Sequence, residues 1–229
     1  MSIVYIVSAP SGSGKSTLVA KLLKMVRNLD FSISYTTRPP RGPEQNRKEY
    51  FFVSREEFEA MIAADEFLEY ADVFGNYYGT ARRFLRDAEA CGHDLLLDID
   101  VQGARQIMER IPDAVSIFIL PPDWETLERR LRSRGLDPEA VIRRRLDTAR
   151  REIENYTKYD YILVNNVLEQ SAGQLKDIVL SERLQRSRVE LSDEEKRRVE
   201  VAQACRLEQA RERVQPIVDS FKPHAVKGT

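Results

Sequence analysis

An α/β fold, with a parallel sheet core and helices on both faces, is what this sequence predicts, and three observations carry the prediction. Ile3 to Val7, Leu95 to Ile99 and Val115 to Leu120 are short, nearly uninterrupted apolar runs, the pattern of strands buried on both faces, and Tyr161 to Val164 is a fourth candidate. The first three are each followed by a stretch of helical apolar spacing, the strand–helix alternation of a doubly wound sheet. With 42% hydrophobic and 32% charged residues over 229 positions, the chain can bury a core, which excludes wholesale disorder and a disulfide mini-protein. That length favours one compact domain with an appendage.

Lys plus Arg number 36 against 37 Asp plus Glu, a net charge of −1, so no global basic field exists to attract nucleic acid or a membrane surface. Any binding of anions must be local. No apolar run approaches the roughly 18 residues of a membrane span, and the first strand-like run lacks the basic leader of a signal peptide. Cys91 and Cys205 lie far apart, and His93 and His224 are the only histidines, so neither a disulfide framework nor a zinc site is readable. A soluble, cytoplasmic protein is expected.

Along the chain, a core of residues 1–33, 81–122 and 154–190 is interrupted twice. The stretch from Phe31 to Thr80 is rich in Tyr and Phe with short alternating runs and reads as a small mixed lobe, bounded here as 34–80. Inside it Ser54 and Glu57 form a capping box that opens a helix carrying Phe58, Met61 and Ile62. Residues 123–153 hold two apolar stripes at helical spacing, Trp124, Leu127 and Leu131, then Ile142, Leu146, Ala149 and Ile153. Arginines off those stripes suit a helical lid over a charged ligand. Residues 191–229 form a charged helical extension with a second capping box at Ser192 and Glu195, in which Pro216 is expected to end or kink the helix. Its stripe of Val199, Ala202, Leu207, Ala210 and Val214 is thin, compatible with packing on a neighbouring element or in a homo-oligomer.

The strongest chemical signal is Ala9-Pro10-Ser11-Gly12-Ser13-Gly14-Lys15-Ser16-Thr17, set between a buried strand and a helical pattern. Gly12 and Gly14 let backbone amides turn inward, the helix N-terminus adds partial positive charge, Lys15 adds a full one, and the Ser16 hydroxyl can reach magnesium. This is a P-loop for a nucleoside triphosphate, with Ala9 where the strict pattern has Gly. Leu95 to Leu97 lead into Asp98 and Asp100, two acids on one side of a strand's carboxyl end, where they can hold magnesium or its water or orient an arginine; an Asp here also suits an N-cap for the segment starting at Val101. In Arg38-Pro39-Pro40-Arg41 the prolines hold the chain extended. Its three-residue repeat would project Arg38 and Arg41 from one side to grip a phosphate, unless the loop is merely basic and solvated. Arg130 and Arg134 lie four apart on one helical face and Arg143-Arg144-Arg145 follows, with Glu128, Glu139, Asp147 and Glu152 available to pair with several of them.

Together these residues resemble the guanylate kinase family, most closely its bacterial form. The resemblance runs from about Ile3 to Arg188 on Ser-Ala-Pro-Ser-Gly-x-Gly-Lys-Ser from Ser8, Ser-Tyr-Thr-Thr-Arg-x-Pro-Arg from Ser34, Phe-Gly-Asn-Tyr-Tyr-Gly-Thr from Phe74, Leu-Asp-Ile-Asp-x-Gln-Gly from Leu97 and Phe-Ile-Leu-Pro-Pro from Phe118. It implies the fold of a P-loop nucleoside monophosphate kinase and transfer of the γ-phosphate of ATP to GMP or dGMP, with Mg2+. It implies that Arg38, Arg41, Tyr50 and Tyr78 bind the GMP phosphate and that Ser34, Glu69, Thr80 and Asp100 surround the guanine. It places Arg130, Arg134 and Arg145 in the lid, Lys15 on the ATP phosphates, Ser16 and Asp98 at the metal, and Asn165 at the ATP base. Where the family has Val-Asn-Asp this chain has Val164-Asn165-Asn166, so no carboxylate acts at that place.

Two other readings compete. One is a peptide-binding module on the same scaffold, against which the complete Gly12-Ser13-Gly14-Lys15-Ser16 cradle argues. The other is a kinase acting on a different phosphorylated acceptor, disfavoured by Glu69, Tyr78 and Thr80.

Overall fold

A computed structural model of the chain describes residues 2–133, 138–187 and 190–222. In chain order the elements are β1 (Val4–Ser8), α1 (Lys15–Met25), β2 (Leu29–Ser32), β3 (Tyr35–Thr36), β4 (Phe51–Phe52), α2 (Arg55–Ala63), β5 (Phe67–Val73), β6 (Asn76–Ala81), α3 (Arg82–Cys91), β7 (Asp94–Asp98), α4 (Val101–Arg110), β8 (Val115–Leu120), α5 (Trp124–Ser133), α6 (Glu139–Ile153), a 3-10 turn (Glu154–Lys158), β9 (Tyr161–Val164), α7 (Leu168–Ser187), α8 (Asp193–Gln203) and α9 (Leu207–Ser220). The chain divides into two compact units, Met1–Val7 with Val26–Val115 and Ser8–Met25 with Ser116–Thr229.

In the first unit β2, β7 and β1 run parallel, Leu29 opposite Asp94 and Val4 opposite Leu95. Tyr5, Ile6, Leu95, Leu96 and Leu97 are fully buried, which is why the β1 and β7 sequences are apolar without alternation. Strand β2 escapes sequence reading because Leu29-Asp30-Phe31-Ser32 alternates, with only Leu29 and Ser32 buried. A second, four-stranded sheet in the order β4-β3-β6-β5 makes the mixed lobe. Helix α2 packs Phe58 into it, stacked on Phe67 at 4.4 Å between ring centroids, and its capping box forms as expected, Glu57 N–H donating to Ser54 Oγ at 3.1 Å and Ser54 N–H to Glu57 Oε2 at 2.7 Å.

In the second unit β8 and β9 pair in parallel, Ile117 opposite Tyr161 and Leu120 opposite Val164. Helix α1 buries Leu18, Val19 and Leu22, and α7 buries Leu175, Ile178 and Val179. Of the two apolar stripes in residues 123–153, Leu127, Leu131, Ile142, Leu146, Ala149 and Ile153 are buried, while Trp124 is half-buried. Residue Arg134 falls outside the described residues.

The extension departs from expectation. Pro216 lies inside α9, which continues to Ser220. The helical run breaks instead at 204–206, where the chain turns back along β9: Ile162 N–H donates to the Cys205 carbonyl at 2.7 Å and Leu207 N–H to the Asp160 carbonyl at 2.9 Å. Satisfying an edge strand's backbone groups outweighs helix continuity there. Beneath this contact Arg206 pairs with Glu182 at 2.6 Å and lies over the Tyr161 ring at 4.2 Å, while the Tyr161 hydroxyl donates to Glu182. The thin stripe is used within the chain, with Ala202, Ala210 and Val214 fully buried.

Candidate active site

The first unit gathers a buried arginine and two tyrosines. Arg38 follows β3 and is only 6% exposed. Its Nε donates to the Tyr78 hydroxyl at 3.0 Å, Nη1 to the Pro39 carbonyl at 2.7 Å, and Nη2 to both carboxylate oxygens of Glu44 at 2.9 Å. Burial opposes its charge, but Glu44 and Tyr78 outweigh that and hold its pKa above the ordinary arginine value. Strand register delivers Tyr78, since Thr36 of β3 lies opposite it on β6, and the Tyr50 and Tyr78 rings stand 5.9 Å apart. Because Tyr78 accepts from Arg38, its own proton is left to donate elsewhere. The Tyr50 hydroxyl is pushed up to about 12 by burial, with the Asp98 and Tyr78 charges adding, so it too remains a donor near neutral pH.

Arg41 does not share this environment. Its side chain is exposed, because the extended run stops at Arg41 in a turn closed by Glu44 N–H on the Arg41 carbonyl at 3.1 Å. The two arginines meet on Glu44 instead, Arg38 through its guanidinium and Arg41 through its backbone N–H at 2.7 Å from Glu44 Oε2. Sequence reasoning missed Glu44; an acid three residues past Arg41 in a basic loop was the available signal.

A second group of buried polar residues lies along β5 and β6. Glu69 stands opposite Thr80, whose hydroxyl donates to Glu69 Oε1 at 2.6 Å. Glu69 is 3% exposed and its pKa is pushed up to about 7, chiefly by burial, with Asp100 adding and the Thr80 hydrogen bonds and Arg110 opposing. A Cβ on Gly103 would collide with the Glu69 carboxylate, so this close approach of α4 requires glycine. Asp100 caps α4, accepting from Gln102 N–H at 3.1 Å and Gly103 N–H at 2.8 Å, which realises the N-cap option. Ser34 is half-buried and its carbonyl accepts from Phe51 N–H at 2.9 Å.

The second unit carries the phosphate loop. Ser13 N–H closes a turn on the Pro10 carbonyl at 3.1 Å, and Gly12 and Gly14 take φ of 94° and 87°. Helix α1 then begins at Lys15 with no acid in its first turn, so its positive end is left for a ligand's charge. Ala9 and Pro10 are buried, Ser11 and Lys15 half-buried, and Ser16 and Thr17 exposed. Asn165, 4% exposed, donates from Nδ2 to the Ser13 carbonyl at 2.7 Å, and its own carbonyl accepts from Arg130 Nη2 at 3.1 Å. Arg130 Nη1 is buried without a hydrogen-bond partner among the described residues, and burial pushes the Arg130 pKa down, with Arg129 adding. Glu128 pairs with Arg132 at 2.8 Å, and Glu139 with Arg132 and with Arg143, the latter at 3.2 Å; Arg145 is half-buried.

A P-loop sequence in one unit, and in the other a buried arginine with two tyrosines and a buried carboxylate on β5, are features a nucleotide kinase would need. The family model described as guanylate kinase matches residues 1–182. The chain belongs to the guanylate kinase family. The guanylate kinase of Koribacter versatilis is 57% identical over 223 residues, 96% of this chain and 95% of that one. That of Neisseria gonorrhoeae is 52% identical over 185 residues, 81% of this chain and 90% of its own. The crystal structure of guanylate kinase from Anaplasma phagocytophilum superposes with a TM-score of 0.67 at 39% identity, covering 79% of this chain and 86% of that one. The fold is thus that of a P-loop nucleoside monophosphate kinase, and the enzyme transfers phosphate from ATP to GMP. Neither an inactive peptide-binding scaffold nor a different acceptor is favoured. The Koribacter match takes in the C-terminal extension, whereas the Neisseria match is too short to include the whole of this chain.

Proposed function

We propose a division of labour in which Lys15 and the loop of residues 9–17 hold the ATP triphosphate while Arg38, Arg41, Tyr50 and Tyr78 hold the GMP phosphate. The observation that carries it is the buried Arg38, fixed by Glu44 and Tyr78 with Tyr50 beside it. Glu69 accepts the N1 and N2 hydrogens of guanine, the Ser34 hydroxyl serves its O6 side, Thr80 orients Glu69 by donating to Oε1, and Asp100 supports that group from the start of α4. Adenine would present the opposite donor pattern and leave Glu69 unpaired in a buried place.

No general base is required, since a nucleotide phosphate is already anionic near pH 7, and rate comes from positioning and charge neutralisation. Arg130, Arg134 and Arg145 of the lid supply the latter. Magnesium, when bound, neutralises charge on the ATP β- and γ-phosphates. Ser16 and Asp98 are the residues proposed to hold it, both oxygen donors of the kind magnesium takes. Among the described residues no group of three or more His, Cys, Asp or Glu side chains is placed to cage a metal.

Nucleotides are its proposed partners, without nucleic acid or membrane, and cytoplasm its proposed compartment. In support, no helix among the described residues is long and apolar enough to cross a membrane, and Cys91 and Cys205 are both free thiols. The test is a coupled ADP-release assay across GMP, dGMP, AMP and UMP. Turnover with the guanine nucleotides alone is expected, and Lys15→Ala is expected to lower kcat/KM by about 10³-fold. Near-normal GMP phosphorylation by that variant would refute the assignment.

A further inference from the structure

Asn165 is implied by family resemblance to face the ATP base, yet its side chain is engaged elsewhere. It follows directly on β9, where its N–H donates to the Leu120 carbonyl at 2.7 Å, so the sheet fixes its backbone. Its side-chain nitrogen donates to the Ser13 carbonyl, a bond that spans 152 positions of sequence between two nearly inaccessible residues. The amide's identity there is settled by chemistry, because a carbonyl can only accept. The same amide occupies the space a Gly14 Cβ would need, so the loop's glycine and this asparagine fit each other. Finally, the Asn165 carbonyl receives Arg130 of the lid.

We propose that the Asn165 side chain is a positioning group for phosphoryl transfer, holding the phosphate loop in its anion-binding conformation, while the backbone carbonyl of the same residue, which any substitution keeps, seats Arg130. The physical link is peptide planarity. In the trans peptide between Ser13 and Gly14 the carbonyl and the N–H point in opposite directions, so tethering the Ser13 carbonyl to Asn165 turns the Gly14 N–H away from Asn165, toward the triphosphate. Without the tether that peptide can rotate and an amide is lost from the cradle. Asn165 then acts on the phosphates of any donor nucleotide and is indifferent to the base. The inference rests on the loop being the ATP site.

Calorimetric titration of wild type, Asn165→Ala and Asn165→Asp with ATP, with inorganic tripolyphosphate and with GMP separates the possibilities. The substitution to Asp keeps the volume but replaces a donor by an acceptor facing a carbonyl. Asn165→Ala is expected to weaken ATP and tripolyphosphate by the same factor, about tenfold, with Asn165→Asp weaker still and GMP affinity unchanged within about twofold. The steady-state KM for ATP should rise and kcat fall, while KM for GMP holds. Loss of ATP affinity with tripolyphosphate binding intact would overturn the proposal in favour of a base contact. So would unchanged binding of both, or an equal loss of GMP binding in the near-isosteric Asp variant. Wild-type protein that binds ATP but no tripolyphosphate would instead remove the reading of the loop as the phosphate site.

Discussion

Glu69, proposed above to recognise guanine, is held in the fold at a cost that depends on pH. Its carboxyl in the folded protein has a pKa of about 7, above the ordinary 4.5, because burial costs the charged form more than Thr80 returns. A native pKa above the unfolded one means that the stabilising contribution is full below about pH 4.5 and is lost as pH rises through 7, amounting to about 3 kcal/mol at pH 8. Glu69→Gln keeps an acceptor for the Thr80 hydroxyl and removes the ionisation. Thermal melts should therefore show the ligand-free variant more stable than wild type at pH 8 and close to it at pH 5, while KM for GMP rises by two orders of magnitude or so as the paired acceptor is lost. Arg38 makes a related point about shape. One planar group contacts Tyr78 through Nε and Glu44 through Nη2, so Arg38→Lys cannot keep both contacts, and KM for GMP should rise nearly as far as in Arg38→Ala.

Among the elements, the C-terminal extension does for β9 what another strand would, covering its edge through Cys205 and Leu207. That cover depends on an ion pair: Arg206 is held against Glu182, which is 7% exposed and also receives the Tyr161 hydroxyl. Glu182 is nearly buried but the Arg206 side chain is 37% exposed, so solvent screens part of the pair and Arg206→Ala is expected to cost about 1 kcal/mol. Adding Glu182→Gln should recover part of that, with kcat unchanged in both variants because neither residue touches the nucleotide-binding groups. Denaturant melts of the two variants and wild type measure the coupling, and a strictly additive result would dismiss the pair as a stabilising unit.

At the scale of the molecule, Lys15 and Arg38 belong to different compact units, and on the proposed assignment each ligand should stabilise the fold through its own set. A ligand present at 100 times its Kd adds about 2.7 kcal/mol, enough for a clear rise in Tm. Lys15→Ala is expected to abolish the rise with ATP and keep that with GMP, and Arg38→Ala the reverse. Loss of both rises in either variant would mean that the two sets are not independent.

The phosphate loop was legible because all its groups are consecutive, and the strands β1, β7, β8 and β9 because burial on both faces leaves an unbroken apolar run. Guanine as the acceptor base came through the motifs' likeness to a family and not from residue chemistry alone. Tertiary structure decided what depends on distant partners: Glu44 completing Arg38 from a turn, Glu69 driven toward neutrality by burial under α4, Asn165 reaching Ser13 across most of the chain, and the extension abandoning its helix to satisfy β9. A local pattern records only what neighbouring residues require of one another, whereas desolvation and hydrogen-bond satisfaction are set by whatever the fold brings within about 3 Å.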